Sequence, residues 1–278
     1  MSPSFTKLRS LVAAAGLGLA ALAVASAPAA AEKLLLGNEG VYPPFSIVDS
    51  DGNLTGFEPE LAREVCKRMD VECEFVVMDF KALIPSILQG KFNVLTSQLS
   101  PTPERLKKLT YSEPIIYNPA TFIVKKDSDY TFTPEGLKGK GLKIALQRGA
   151  SSIPYIDKHF PDVFEKVLYD NPDQMRLDLM AGRIDLVFDS KLNWTFELIM
   201  KPEGKDWKIA GGDHWLGDEA VPQEKRGYSW AVRKGDEALI ERFNVAIDQV
   251  ITDCSFTKIR EKFLSVPILA REQACLTN

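Results

Sequence analysis

The chain has 278 residues and a formal net charge of −4, with 34 lysine and arginine residues against 38 aspartate and glutamate residues. This balance argues against a nucleic-acid partner, because binding to a phosphate backbone requires an excess of positive charge. Hydrophobic residues make up 45% of the chain, which is enough for the core of one large domain or two medium ones.

The first 31 residues have the pattern of an export signal. Lys7 and Arg9 form a short charged region, residues 11–24 are an apolar stretch too short to cross a bilayer, and residues 29–31 (AAA) offer small side chains for cleavage. The pattern predicts a mature chain that starts at Glu32. Because no second long apolar stretch follows, we expect this mature chain to be exported and soluble.

Cysteine usage is consistent with export. The chain has four cysteines, Cys66, Cys73, Cys254 and Cys275. Cys66 falls late in a predicted helix and Cys73 begins the next strand, and exported proteins keep disulfides, so we predict a bond between these two. Two buried free thiols are the alternative. A second bridge, between Cys254 and Cys275, is left open.

The spacing of apolar residues predicts strands that alternate with helices. In the first part we predict a strand at 34–36, a hairpin at 45–57 around the turn 49–53, a helix at 59–69, a strand at 71–77, a helix at 83–88 and a strand at 92–95. In the second part we predict strands at 120–124, 142–146, 184–188, 207–210 and 228–232, and helices at 134–137, 239–251 and 256–264. A further helix ends at Met180 and is capped by Asn171 or Asp173. Residues 88–95 and 180–187 share a helix end, a glycine, a base and an apolar strand, which favours two lobes of similar build.

Two segments that follow predicted strands carry donors suited to an anion. Thr102 is a good N-cap, Pro103 suits the first helical position, and Arg105 lies in the first turn. A guanidinium beside hydroxyls and free backbone N–H groups can bind a small carboxylate, although an exposed arginine on a capped helix gives the same pattern. Residues 147–152 (QRGASS) form a glycine turn with hydroxyls at a helix start, a second segment favourable to anions.

Several short motifs occur in a fixed order along the chain. They are residues 42–45 (YPPF), 56–62 (GFEPELA), 66–69 (CKRM) with Cys73, 79–85 (DFKALIP), 100–105 (SPTPER) and 147–149 (QRG). Each is weak alone, but their order and spacing are specific. Together they resemble the periplasmic solute-binding proteins for polar amino acids that serve ABC importers, above all the lysine/arginine/ornithine-, histidine- and opine-binding proteins.

The resemblance implies an α/β, two-lobed periplasmic-binding-protein fold (type II), in which two βαβ lobes are joined by two hinge strands and close on a ligand. Lobe I would comprise residues 32–117 plus 226–278 and lobe II residues 118–225, after a signal peptide at 1–31, with hinges near 118–121 and 223–227. The implied protein is a periplasmic monomer that binds an amino acid or derivative with a carboxylate. It passes the ligand to an ABC transporter permease and uses no cofactor and no metal.

The resemblance also implies roles for individual residues. Arg105 would clamp the α-carboxylate of the ligand, helped by Ser100 and by Ser151 at the helix start in the other lobe. Tyr42 and Phe80 match the aromatic residues that sandwich the ligand side chain, and either could instead belong to the core.

Further roles concern the two basic ends of a ligand. Glu39 matches an acidic residue that meets a distal cationic group, or it is a solvated loop carboxylate. Ser97 and Gln98 occupy positions whose oxygens hold the α-ammonium group, although Gln98 replaces a usual small hydroxyl residue. The acid that ends the lobe II strand is displaced: Ser190 stands in its place and Asp189 comes one residue early. Because neighbouring residues of a strand point to opposite faces, this shift by one residue matters unless the strand bulges. Opine-binding relatives also lack the acid at this place, so an amino acid with a substituted nitrogen is an open alternative.

Asn93 also departs from the family, which often has aspartate there, and we interpret it as structural.

An exported cyclohexadienyl (arogenate) dehydratase on the same fold is the alternative function, with Glu39 or Asp189 as acid catalyst. Against it, the predicted aromatic sandwich and the motifs of lysine/arginine-binding proteins favour binding. Binding without chemistry also fits a chain with no nucleophile–base pair or phosphate loop and with two histidines that lie far apart. A sensory module of a receptor is not expected. The ligand and the roles of Trp194 and Trp215 are left open.

Overall fold

Two five-stranded sheets organise residues 32–276, the part of the chain that the computed structural model describes. The strands are β1 (Lys33–Asn38), β2 (Val41–Tyr42), β3 (Ser46–Val48), β4 (Leu54–Thr55), β5 (Glu72–Val77), β6 (Val94–Leu99), β7 (Leu109–Tyr111), β8 (Ala120–Lys125), β9 (Lys143–Gln147), β10 (Glu165–Tyr169), β11 (Leu186–Ser190), β12 (Trp207–His214) and β13 (Ser229–Arg233). The export signal predicted for residues 1–31 lies outside the described residues.

The helices cover the faces of these sheets. They are α1 (Phe57–Arg68), α2 (Phe80–Leu88), α3 (Pro103–Leu106), α4 (Pro134–Leu137), α5 (Ser152–His159), α6 (Pro172–Met180), α7 (Lys191–Trp194), α8 (Glu237–Thr252) and α9 (Ser255–Glu261). Among the described residues, no helix is both long and apolar enough to span a bilayer.

Each five-stranded sheet contains three neighbouring parallel strands. The first sheet has the order β5-β1-β6-β13-β7, and β1 runs parallel to β5 and β6. The second sheet has the order β10-β9-β11-β8-β12, and β9 runs parallel to β10 and β11. The carboxyl ends of parallel strands in open α/β sheets are where ligands bind. The α/β, two-lobed prediction is confirmed.

The chain passes between the two sheets after β7 and again before β13. These connections lie side by side, since Ile116 and Tyr228 pair as an antiparallel bridge and the Tyr228 N–H donates to the Ile116 carbonyl at 2.8 Å. The segments predicted as hinges, 118–121 and 223–227, lie next to this bridge in sequence. Their role as hinges and the limits of the lobes stay predictions.

The repeated junction predicted from the sequence is present in both lobes. Gly90 and Gly182 each adopt a positive φ after a helix, and a buried strand follows. In each case a side-chain oxygen then ties the junction to a neighbouring strand: Asn93 accepts from the Leu35 N–H at 2.8 Å, and Asp185 accepts from the Lys143 N–H at 2.7 Å. Asn93 therefore has the structural role expected of it.

Some element limits differ from the predictions. β12 continues to His214 rather than ending at residue 210, because a register irregularity after Ala210 lets the strand pair with β8 again. Gly211 and Gly212 supply positive φ angles at that irregularity. β11 begins at Leu186, two residues later than predicted, and ends with Asp189 and Ser190 as expected.

Two disulfides are present. Cys66 joins Cys73 between α1 and β5, as predicted, with an S–S distance of 1.98 Å. Cys254 joins Cys275, with an S–S distance of 2.06 Å, which answers the open question about this second pair. The second bridge ties the end of α8 to the C-terminal segment.

Candidate functional site

A cavity of about 30 Å³ lies between the lobes at the strand ends. Part of its lining was predicted from the sequence and consists of Glu39, Tyr42, Phe80, Gln98, Arg105, Ser151, Asp189 and Ser190. The rest of its lining consists of Gln147, Ala150, Ser152, Leu216 and Tyr228. Within residues 32–276, no group of three or more His, Cys, Asp or Glu side chains is arranged to hold a metal ion.

Glu39 follows β1 directly and is buried. Its backbone N–H donates to Ser97 Oγ at 3.0 Å, and its carboxylate accepts from Gln147 Nε2 at 2.9 Å across the cavity. Burial raises the pKa of Glu39 to about 8, opposed by the hydrogen bond from Gln147 and reinforced by the charges of Asp189 and Asp79. Glu39 can therefore hold a proton near neutral pH, and a cation beside it would favour the ionised form.

Asp189 is buried at the end of β11 and is held by donors from both lobes. Its Oδ1 accepts from the Tyr42 hydroxyl at 2.9 Å and the Ser190 N–H at 2.8 Å, while Oδ2 accepts from Trp194 Nε1 at 2.9 Å. Burial raises the pKa of Asp189, opposed by these hydrogen bonds. A carboxylate offers about four acceptor positions, so about one remains for another donor. The pairing of β11 with β8 is regular through Ser190, so no bulge changes the face that Asp189 occupies.

Three further side chains of the cavity lining offer polar atoms. Ser190 Oγ and the Tyr228 hydroxyl lie 2.8 Å apart, and burial raises the pKa of Tyr228 to about 12. Gln98 Oε1 accepts from Asn118 Nδ2 at 3.2 Å. Gln98 Nε2 is buried and has no hydrogen-bond partner among the described residues. This amide is a donor that a ligand acceptor could satisfy.

Arg105 reaches the cavity from the four-residue helix α3, where Thr102 Oγ1 accepts from the Arg105 N–H as predicted for an N-cap. Nη1 donates to the Ser100 carbonyl and Nη2 to the Gly149 carbonyl, each at 2.9 Å, so the guanidinium joins the two lobes. The guanidinium carbon lies 5.9 Å from the centre of the Phe80 ring. Burial lowers the pKa of Arg105. Of its five N–H donors, about three stay available to a ligand.

The start of α5 brings hydroxyl groups from the second lobe. Ser151 is the N-cap of α5, and its hydroxyl donates to Ser100 Oγ at 3.1 Å in the first lobe. Ser152 Oγ is buried without a hydrogen-bond partner among the described residues. The first backbone N–H groups of a helix and an unpartnered hydroxyl favour an anionic group at this point.

The structure thus brings the predicted site residues together, with two differences in position. Ser97 and Ser100 are not part of the cavity lining: Ser97 holds the backbone of Glu39, and Ser100 holds Arg105. Both contact residues that line the cavity, and their roles towards a ligand stay predictions.

Some residues of the cavity lining were not predicted from the sequence, although two of them could have been. Gln147 and Ser152 lie in the segment predicted to favour anions, so their position after a strand could have identified them. Tyr228 and Leu216 come from the second connection between the lobes, where no local pattern points to a cavity. Of the tryptophans left open, Trp194 contacts Asp189, whereas Trp215 packs edge-on against Tyr117 with ring centres 6.2 Å apart.

Further contacts join the lobes beside the cavity. Lys81 on α2 forms an ion pair with Asp170 at 2.8 Å, and Asp170 also pairs with Arg148 at 3.0 Å. Asn193 Nδ2 donates to the Pro43 carbonyl oxygen. These contacts hold the two sheets' strand ends close to each other around the cavity.

Comparisons with known proteins agree with this architecture. The L-arginine-binding protein of Pseudomonas aeruginosa is 32% identical over 255 residues, which cover 91% of this chain and 96% of that protein. The solved structure of an ancestral arginine-binding protein bound to arginine is 31% identical, with a TM-score of 0.74, over 84% of this chain and 98% of the other. The ancestral amino acid-binding protein AncCDT-1, a precursor of cyclohexadienyl dehydratase, is 27% identical, with a TM-score of 0.71, over 83% of this chain and 94% of the other.

The family comparison covers nearly all of the described chain. Residues 34–266 match the family described as bacterial extracellular solute-binding proteins, family 3. The matched segment contains both five-stranded sheets, apart from Lys33, and every residue of the cavity lining. The chain therefore belongs to the bacterial extracellular solute-binding proteins, family 3.

Proposed function

We propose that this protein captures an amino acid in the periplasm and delivers it to the permease of an ABC importer. The observation that carries the proposal is one cavity that contains both a buried guanidinium with spare donors and a buried carboxyl group. Arg105 and the start of α5 suit a ligand carboxylate, and Glu39 suits a distal cation. Arginine or a similar basic amino acid carries both groups, in keeping with the arginine-binding relatives.

The small size of the cavity indicates a closed arrangement of the lobes. Its volume of about 30 Å³ holds only about two water molecules, because one water needs at least about 10–15 Å³. The lobes would therefore have to separate for a ligand of amino-acid size to enter. Contacts of such a ligand with both lobes would stabilise their closed arrangement.

A binding experiment tests the proposal directly. Thermal-shift screening of basic and neutral amino acids, followed by calorimetry, should give the largest stabilisation with arginine or a related basic amino acid. Arg105→Ala should weaken binding by at least about 30-fold, because it leaves a carboxylate without its charged partner. Arg233→Ala, which removes an arginine of the first sheet that pairs with Asp236, should bind normally. Absence of stabilisation by any α-carboxylate compound would contradict the proposal.

An N-substituted amino acid is a second candidate ligand. Asp189 has about one acceptor position left, and Gln98 Nε2 is a buried donor without a partner. A donor suits a carboxylate on the substituent better than it suits a free ammonium group. Tighter binding of Nα-carboxyethyl-arginine than of arginine would favour this candidate, and the reverse order would exclude it.

A dehydratase-like activity is the alternative function, favoured by one observation. Burial raises the pKa of Glu39 to about 8, so this residue could donate a proton to a leaving hydroxyl group. Incubation of the protein with arogenate or prephenate, with chromatography of the products, tests it. Turnover that disappears in Glu39→Gln would support an enzyme, and no turnover leaves ligand capture as the function.

We also propose the predicted lobe limits, residues 32–117 with 226–278 and residues 118–225, for the two moving units of a monomer. The Ile116–Tyr228 bridge between the two connections supports a hinge there, because it is the point where both connections meet.

A further inference from the structure

Residues 215–226, called the strap below, follow β12 and lead the chain back towards β13 in the first lobe. Leu216, near the start of the strap, is buried and lines the cavity. Gly217 has a φ of +117°, and a Cβ atom there would lie 3.6 Å from the carbonyl oxygen of Pro101 in the first lobe. The strap therefore covers one side of the cavity and reaches from the second lobe to the first.

Glu219 ties the strap to helix α5. Its Oε1 lies 2.6 Å from His159 Nε2, and its Oε2 accepts from Lys158 Nζ. Both partners belong to the last turn of α5, whose first residue, Ser152, lines the cavity. The strap and this part of the cavity wall are therefore held to the same helix.

The strap is also tied together internally. Arg226 donates from Nε to the Val221 carbonyl at 2.7 Å, from Nη2 to the Glu219 carbonyl at 3.3 Å and from Nη1 to the Trp215 carbonyl at 3.5 Å. A single guanidinium that binds carbonyl groups along the strap makes it a compact unit. Arg226 thereby links Glu219 to Trp215, which adjoins Leu216.

We propose that Leu216 is a specificity-determining residue for the ligand and that Glu219 is the positioning residue that keeps Leu216 on the cavity. Pro101 adjoins Ser100, whose carbonyl oxygen holds Arg105, so the strap covers the Arg105 end of the cavity. If Arg105 holds the ligand carboxylate, Leu216 limits the size of groups on the α-amino nitrogen beside it. This inference rests on the proposed function.

Selectivity between two probes tests the role of Leu216. We would measure the affinities of arginine and Nα-acetyl-arginine by calorimetry for the wild-type protein and for Leu216→Ala. The smaller side chain should shift the affinity ratio about tenfold towards Nα-acetyl-arginine, since it makes room for the acetyl group. An unchanged ratio with arginine still bound would overturn this inference alone. If the wild-type protein binds neither compound, the proposed function fails as well.

Kinetics test the role of Glu219. Stopped-flow measurement of arginine dissociation should show a rate about two- to fivefold higher in Glu219→Gln, because Leu216 is held less firmly. Asp157→Asn is the matched control: it removes the Asp157–Lys166 ion pair, which also involves α5 but does not touch the strap. Its dissociation rate should equal that of the wild-type protein. Equal rates in both variants would overturn the positioning role of Glu219.

Discussion

At the scale of single residues, Glu39 links ligand binding to pH. Burial raises its pKa from 4.5 to about 8, so the folded protein holds this proton more tightly than the unfolded chain does. Such a group favours folding fully below its unfolded pKa, and this contribution is lost as the pH rises through about 8. We therefore expect the Tm of the ligand-free protein to decrease between about pH 5 and about pH 8.

Glu39→Gln isolates this effect, because the amide keeps the shape of the side chain and does not titrate. Over that range the Tm of the variant should rise relative to that of the wild-type protein by roughly 5 °C, as measured by calorimetry. Burial also raises the pKa values of Glu58 and Asp189, but these groups are present in both proteins. Parallel Tm curves for the two proteins would show that Glu39 does not titrate in this range.

Two tyrosines allow a hydrogen-bonded hydroxyl to be compared with one that has no hydrogen-bond partner. The Tyr42 hydroxyl donates to Asp189 across the cavity, whereas the Tyr111 hydroxyl is buried without a hydrogen-bond partner among the described residues. Tyr42→Phe should therefore cost about 1.5–3 kcal/mol, seen as weaker ligand binding and a lower free energy of unfolding. Tyr111→Phe should have no cost, because it removes a hydroxyl that gains nothing from burial. Urea unfolding measures both variants, and an equal decrease in the free energy of unfolding for Tyr42→Phe and Tyr111→Phe would contradict this interpretation.

How much of the site a sequence can predict depends on how local its contacts are. Arg105 and its cap lie within a few residues of each other, and the cap was correctly predicted. The partner of Glu39 is 108 residues away and belongs to the other lobe, so no local pattern could identify it. The same is true of Tyr42, whose acceptor Asp189 is 147 residues away.

At the scale of elements, the two disulfides should differ in their effect on stability. They close segments with sequence separations of 7 and 21 residues, and a longer closed loop restricts the unfolded chain more. Replacing Cys66 and Cys73 by alanine should cost about 2 kcal/mol of unfolding free energy, and replacing Cys254 and Cys275 about 3 kcal/mol.

Hydrogen exchange would show whether the Cys254–Cys275 disulfide stabilises the whole protein or only the C-terminal segment. The C-terminal segment also carries the fully buried Glu272, which accepts from Arg260 Nε at 3.0 Å and from the Ile268 N–H at 2.6 Å. Without the bridge, we expect faster exchange in residues 265–276 and normal exchange in β1 and β6. If the Cys66–Cys73 disulfide proves more stabilising than the Cys254–Cys275 disulfide, the length of the closed loop does not determine which of them contributes more.

Elements with strong local signals were predicted well. The hairpin around residues 49–53 and the short helix Pro134–Leu137 follow from turn residues, from an N-cap and from proline at the first helical position. The far end of β12 could not be predicted, because Gly211 and Gly212 normally signal a turn. There, pairing with β8 outweighs the local preference.

At the scale of the whole molecule, hydrogen bonds that join the lobes are spread around the cavity. Arg105 to Gly149, Gln147 to Glu39 and Tyr42 to Asp189 each join one lobe to the other at 2.9 Å. All involve residues that also line the cavity. If the lobes open and close as proposed, a bound ligand and these contacts would act on the same equilibrium between the two arrangements.

The ion pair at the edge of the cleft should affect closure without touching the ligand. Lys81 and Asp170 lie 2.8 Å apart, with side chains 39% and 38% exposed, so their contribution should be about 0.2–1 kcal/mol. Asp170→Asn should therefore weaken arginine binding by about 1.5- to 5-fold, mainly through faster dissociation, and the effect should shrink at high salt. Asp213→Asn is the control, since Asp213 pairs with Lys191 at 2.8 Å and similar exposure within the second lobe. Faster dissociation in the control, or a salt-independent effect, would show that Asp170 does not act through closure.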